Sequence, residues 1–287
     1  MTFESLRAVN RGAHERGFIL SVLLCRRKAQ HPFRHDKLNI NLWSEQELCY
    51  VIYNYPLLCL GSFLSETLFS WIERELQMKD LAEKLRKSRK DGESVENQLL
   101  MILQDCDYYD VSEVRDFGGR IQELKRKPPF ELACMEGMIL YRSDKLQMAY
   151  DKMEEAVRLL DQDFRQTQDD SGMDALLHRK ADIFCDMAAI RLRMFDTGRA
   201  LELLASSEMC CANRRAGQMR YLINGTGDIS DREKQELDEA KEAAVERARK
   251  SQAYRDVEML FEKDSVRIFR EAGEIVRNWK RTYRAML

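Results

Sequence analysis

The stretch Phe130–Gln162, FELACMEGMILYRSDKLQMAYDKMEEAVRLLDQ, decides how this chain is read. Leu132, Met135 and Ile139 recur at three- and four-residue steps, as do Leu146, Ala149, Met153, Ala156 and Leu160. That period puts one apolar stripe on each of two helices. Ser143-Asp144 supplies a polar turn between them, and Gly137 and Ala149 have side chains small enough for two helix backbones to approach closely. The stretch reads as one helical hairpin.

A second copy follows it. Phe184, Ala188, Phe195-Asp196 and Ala200 repeat the order aromatic, small, turn, alanine, and the step from Ala188 to Ala200 equals that from Gly137 to Ala149. The copies are offset by 51 residues, so a longer or extra helical segment from Leu159 to Ala181 has to lie between them.

These residues resemble a tetratricopeptide repeat. Gly137 stands at the family's small residue of the first helix, Ala149 at the alanine opening the second, and Ala156 at the later alanine. Ala133 replaces the family's aromatic, Glu136 its leucine and Asp161 its closing proline, so the copy is degenerate. The offset also exceeds the family's period of about 34 residues. The resemblance implies that the first helix of each hairpin lines a concave groove, here with Cys134, Met138, Tyr141 and Arg142, then Cys185, Ala189, Leu192 and Arg193. An apolar floor with an arginine edge suits a peptide or partner helix bearing an acidic group, since arginine pairs bidentately with carboxylate. A neighbouring helix of the same chain could equally fill that groove. The family's clamp for chaperone tails needs lysine and asparagine where Cys134 and Met138 stand, so that activity is not expected.

Composition favours helix throughout. Only 4 Pro and 13 Gly interrupt 287 residues rich in Leu, Ala, Glu, Lys and Arg, and little or no sheet is expected. Lys plus Arg (47) nearly balances Asp plus Glu (49), which selects neither a polyanion nor a basic partner. The eight cysteines form no CxxC pair and read as reduced thiols of a cytoplasmic protein. The vicinal pair Cys210-Cys211 is taken as structural. Phe18–Cys25 is too short to span a membrane.

Residues 1–40 carry eight Lys or Arg against three Asp or Glu and read as a basic leader. Cys25, His31 and His35 lack a fourth ligand at suitable spacing, so no metal is expected there. An N-terminal helical domain, 41–127, opens at a capping box, Ser44 with Glu47, and contains helices at Ser65–Leu85, Ser94–Gln104 and Val111–Lys125. Its block NINLWSEQELCYVIYNYPLL is similar to the opening of uncharacterised bacterial helical proteins. Lys84–Asp91 is read as a positive helix end that complements the macrodipole. The two prolines of KRKPP mark the boundary to a tetratricopeptide-like array, 128–287. Ser230 with Glu233 caps a charged, solvated helix, and a last helix with Ile268, Ala272, Ile275 and Trp279 on one stripe is expected to bury a wide face.

The fold expected is therefore all-α, and the function a non-catalytic interaction scaffold without a cofactor. No nucleophile-and-base set, metal motif or phosphate loop accompanies His178, the one histidine of the second half. The alternative is a nucleic-acid-associated regulator using the basic leader or the terminal helix, where Arg277, Lys280, Arg281 and Arg284 interleave with Trp279 and Tyr283. A homo-oligomer contact on the terminal helix is also open.

Overall fold

A computed structural model describes residues 28–106, 108–166, 170–261 and 265–286. The chain divides into two compact units, Met1–Ser143 and Asp144–Leu287. Helix predominates in both, as the composition requires.

The first unit contains a feature the helical reading missed. Strands β1 (Lys28–His35) and β2 (Ile40–Ser44) pair antiparallel across a turn in which Asn39 takes φ +52°. Ile40, Leu42 and Ser44 are buried and Asn41 is exposed, the alternation of a half-buried strand. β1 shows no such alternation, because its register shifts between Lys28 and Phe33, around Pro32, which has no N–H to give. Helix α3 (Glu66–Arg74) and the residue after it hold this irregular segment. Trp71 Nε1 donates to His31 O at 2.8 Å, and the Glu75 carboxylate accepts from the Gln30 and His31 amides at 2.9 Å each. Residues 28–40 thus belong to the folded unit, and the leader boundary at 40 cuts a hairpin. Residues 1–27 lie outside the described residues.

Helix α1 (Glu45–Asn54) starts where Ser44 accepts from the Glu47 amide. The returning Glu47 carboxylate reaches the Trp43 amide, one residue earlier than a standard capping box. Pro56 ends α1 and also begins α2 (Pro56–Cys59), taking the first helical position, where no N–H is needed. The single helix expected over 65–85 is two, α3 and α4 (Lys79–Lys90), broken at Gln77 with φ +60°. No Gly or Pro signals that break. Leu76 is fully buried there and the two helices fold back on each other, so tertiary burial overrides helix propensity. α5 (Val95–Asp105), α6 (Val111–Lys125) and α7 (Pro129–Arg142) follow, and Asp110 with Glu113 forms a complete capping box at α6.

The core of this unit joins Leu38, Ile40 and Leu42 of the hairpin to Phe69, Ile72 and Phe117 of the helices, each at most 1% exposed. Burial of such side chains contributes roughly 1.5–3 kcal/mol each. Helix α7, read from sequence as the opening of the repeat, packs on α2, and its Glu136 pairs with Lys37 of the hairpin turn at 2.7 Å. It belongs to the first unit, and the division by compactness falls after Ser143.

In the second unit α8 (Leu146–Gln166) packs on α9 (Asp170–Arg193), which packs closely on α10 (Thr197–Cys210). Ala149, Ala156, Ala181, Ala188 and Ala200 are fully buried, and these single methyl groups let the helix axes approach closely. The two sequence copies share their turn geometry, since Asp144 and Phe195, 51 residues apart, both take left-handed φ, +58° and +60°. The offset is filled by helix length, 21 residues in α8 and 24 in α9.

α11 (Arg214–Asn224) ends at Gly225 with φ +76°. The loop beyond then crosses α11 so closely that a Cβ on Gly227 would lie 2.3 Å from Gly217 O. α12 (Asp231–Arg249) starts at the complete Ser230–Glu233 capping box and buries none of its side chains. α13 (Gln252–Phe261) leads to α14 (Ser265–Met286). Along α14 the Tyr283 hydroxyl donates to Met194 O at 2.9 Å, but Val276 and Trp279 are exposed, Trp279 at 53%. Among its described side chains the wide buried face expected from sequence is not present.

Candidate functional site

The residues picked from sequence fall in two places. Cys134, Met138, Tyr141 and Arg142 lie on α7 in the first unit, with Cys134 buried, Met138 and Tyr141 half-buried and Arg142 exposed. Cys185, Ala189, Leu192 and Arg193 lie on α9 in the second. Cys185 is fully buried with its sulfur 3.4 Å from Ser207 Oγ, and burial pushes its thiol pKa up. It gives no surface to a partner. Arg193 is paired with Asp144, so its charge has an internal acceptor.

A different face of the second unit is concave. α8, α9 and α10 together line an open groove of roughly 400 Å³. Interactions between neighbouring helices fix the register of its walls, among them Arg191 beside Asp196 at the start of α10, 3.9 Å apart. The Arg191 guanidinium lies 3.7 Å over the Tyr150 ring, Lys180 pairs with Asp161 at 2.6 Å, and Cys185 meets Ser207. α8 and α10 therefore run the same way on either side of an antiparallel α9.

Three levels result. The first holds Tyr150, with Arg191 over its ring, and Arg199. The second holds Glu154 from α8, Met187 from α9, and Glu202 with Leu203 from α10. The third holds Val157 and Arg158, Phe184, and Ser206. Phe184 and Val157 are half-buried, so apolar floor stays within reach of a ligand. Arg199 pairs with Glu202 at 2.5 Å, which with the Tyr150 hydroxyl raises the arginine pKa; an exposed pair of this kind is worth about 0–1 kcal/mol. Ser206 donates to Glu202 O at 3.0 Å, so the hydroxyl in the groove is spent on its own helix.

The groove offers apolar area and charges, a set suited to binding. Among the described residues no three His, Cys, Asp or Glu side chains gather as a metal set, and no helix is long and apolar enough to cross a membrane. His178 is exposed with Nδ1 2.8 Å from Asp174 O on its own helix. The Cys210 and Cys211 thiols are both pushed up by burial, which disfavours the reactive thiolate.

Sequence reading missed Tyr150, Glu154, Arg158, Arg199 and Glu202. The signal was present, since Tyr150, Glu154 and Arg158 are spaced at i, i+4 and i+8 on one helix face. Charged residues at such spacing ordinarily mark a solvated face, and only the flanking of Phe184 by two helices makes this one a wall. Comparison with known families, curated proteins and solved structures gives no match, so the reading of the groove rests on its own geometry.

Proposed function

We propose that this chain is a non-catalytic intracellular interaction scaffold, in which the second unit, a degenerate tetratricopeptide-like hairpin array, binds a partner protein in the groove of α8, α9 and α10. The observation that supports this is the accessible apolar floor at Phe184 and Val157 between two charged walls. Interfaces combine an apolar centre with a polar rim in this way. The groove differs from the one inferred from the family resemblance, because α8 and α10 are the second helices of their hairpins. The test is affinity capture with the full chain, followed by titration of each captured protein in purified form. Phe184→Asp, shown to be folded by circular dichroism, is expected to weaken binding at least tenfold. Unchanged affinity for every partner would remove the groove from the account.

The second reading, nucleic-acid association, is favoured by one observation. Trp279 is 53% exposed on α14 with Arg277, Lys280, Arg281 and Arg284 also exposed around it. An exposed aromatic among cations can stack on an unpaired base while the cations track the phosphates. Binding of single-stranded oligonucleotides that weakens steeply with salt and is lost in Trp279→Ala would support it. Salt-insensitive or absent binding would dismiss it.

A further inference from the structure

The groove has an order of charge that its apolar floor does not require. Positive Arg199 stands at the first level, negative Glu154 and Glu202 at the second, and positive Arg158 at the third. Glu154 and Arg158 are spaced i and i+4 with the acid first, the arrangement that most readily closes an ion pair on a helix. Among the described residues neither makes an ion pair or hydrogen bond. Groups left without partners on one wall are suited to matching groups on a ligand.

The spacing says what kind of ligand. From Tyr150 to Arg158 the wall rises about 12 Å in two steps of about 6 Å, which equals the i, i+4, i+8 rise of a second helix laid along it. An extended peptide fits less well. The walls are helices whose backbone groups are already bonded internally, so a strand would find no sheet edge and would leave its own amides and carbonyls unpaired over Phe184 and Val157. We infer that the groove takes an amphipathic helix of a partner protein whose facing residues run acid, base, acid at one-turn spacing, with apolar side chains between them. The leading acid meets Arg199, the base meets Glu154 and Glu202, and the last acid meets Arg158. This rests on the scaffold reading above.

The experiment uses the full chain and three synthetic helical peptides with the same apolar face. One presents Glu, Lys, Glu at the facing positions, one presents Lys, Glu, Lys with its overall charge balanced on the far side, and one presents glutamine at all three. Binding is followed by fluorescence anisotropy at low and high salt. The wild type is expected to prefer the first peptide over the second by about tenfold, since two or more exposed pairs change from attractive to repulsive. The double variant Glu154→Arg, Arg158→Glu keeps the net charge and alters only an exposed face, and in it the preference is expected to vanish or reverse. Equal binding of both charged peptides to the wild type, or a preference unchanged in the swap, would overturn the inference. If the glutamine peptide still binds and Phe184→Asp abolishes that binding, the scaffold reading survives alone. Should none of the three bind, the inference falls, and the capture experiment with Phe184→Asp decides the scaffold reading separately.

Discussion

In the unit ending at Ser143, aromatic and even cationic side chains are drawn into one core. Phe69 and Phe117 are fully buried, Arg89 lies 4.4 Å over the Phe69 ring and donates to Leu64 O, and Arg120 lies 4.2 Å over Tyr53, which stacks on Tyr109 at 4.1 Å. In the unit from Asp144, five alanines are fully buried in α8, α9 and α10 among residues such as Leu146, Met153, Leu160 and Leu204. Tyr150 is the one aromatic buried among the described residues of those helices, and α12 buries nothing. An interior rich in aromatic side chains in one unit and one richer in alanine in the other have different consequences. The first commits its distinctive chemistry to stability. The second packs these helices partly through methyl groups and leaves phenylalanine, arginine and glutamate to shape a surface.

The largest expected effect follows directly. Phe69→Ala should destabilise the first unit by about 3–5 kcal/mol, because the enclosed site cannot collapse around the cavity, whereas Val245→Ala on exposed α12 should change stability by less than about 0.5 kcal/mol. Denaturant titration of both variants checks this, and equal effects would break the contrast.

Second comes a pH dependence confined to the hairpin. His35 is 2% exposed, its Nδ1 accepts from the Leu38 amide, and burial holds its pKa at about 4 against an ordinary 6.5. The unfolded chain therefore takes up the proton first. The stability present above pH 6.5 should fall as the pH drops toward 4, by about 3 kcal/mol, with no further loss from this group below that. His35→Asn keeps an acceptor for the Leu38 amide and should flatten the slope between pH 6.5 and 4. An identical slope in the variant would show that His35 does not govern it.

Gly227→Ala is expected to cost the second unit about 1–3 kcal/mol, since the added methyl meets the backbone of Gly217 rather than a movable side chain. The melting temperature of the variant measures it, and an unchanged value would mean the loop can lift from α11 at no cost.

Much of the helical architecture was legible because its signals are local. Asp110 with Glu113, Ser230 with Glu233, and the Gly225 stop are written within four residues of the helix ends they set. What escaped depends on distant residues. β1 is held by Trp71 and Glu75 from α3 and the residue following it, and the α3 to α4 break is set by the burial of Leu76. The basic run ending α4 was read as a macrodipole complement, yet Arg86 pairs with Glu66 and Glu73, and Arg89 covers Phe69. The groove shows the same limit. Phe184 was noticed as a repeat position, but that Val157 and Ser206 flank it from two neighbouring helices depends on an antiparallel register that no single window contains.

Hydrogen exchange of the full chain, with and without the Glu, Lys, Glu helical peptide, tests the division of labour most directly. The account predicts slowed exchange confined to α8, α9 and α10, centred on residues 150–158, 184–187 and 199–206, with the first unit and α12 unchanged. Slowing centred on 28–143 or on α14, with the groove helices unaffected, would contradict it.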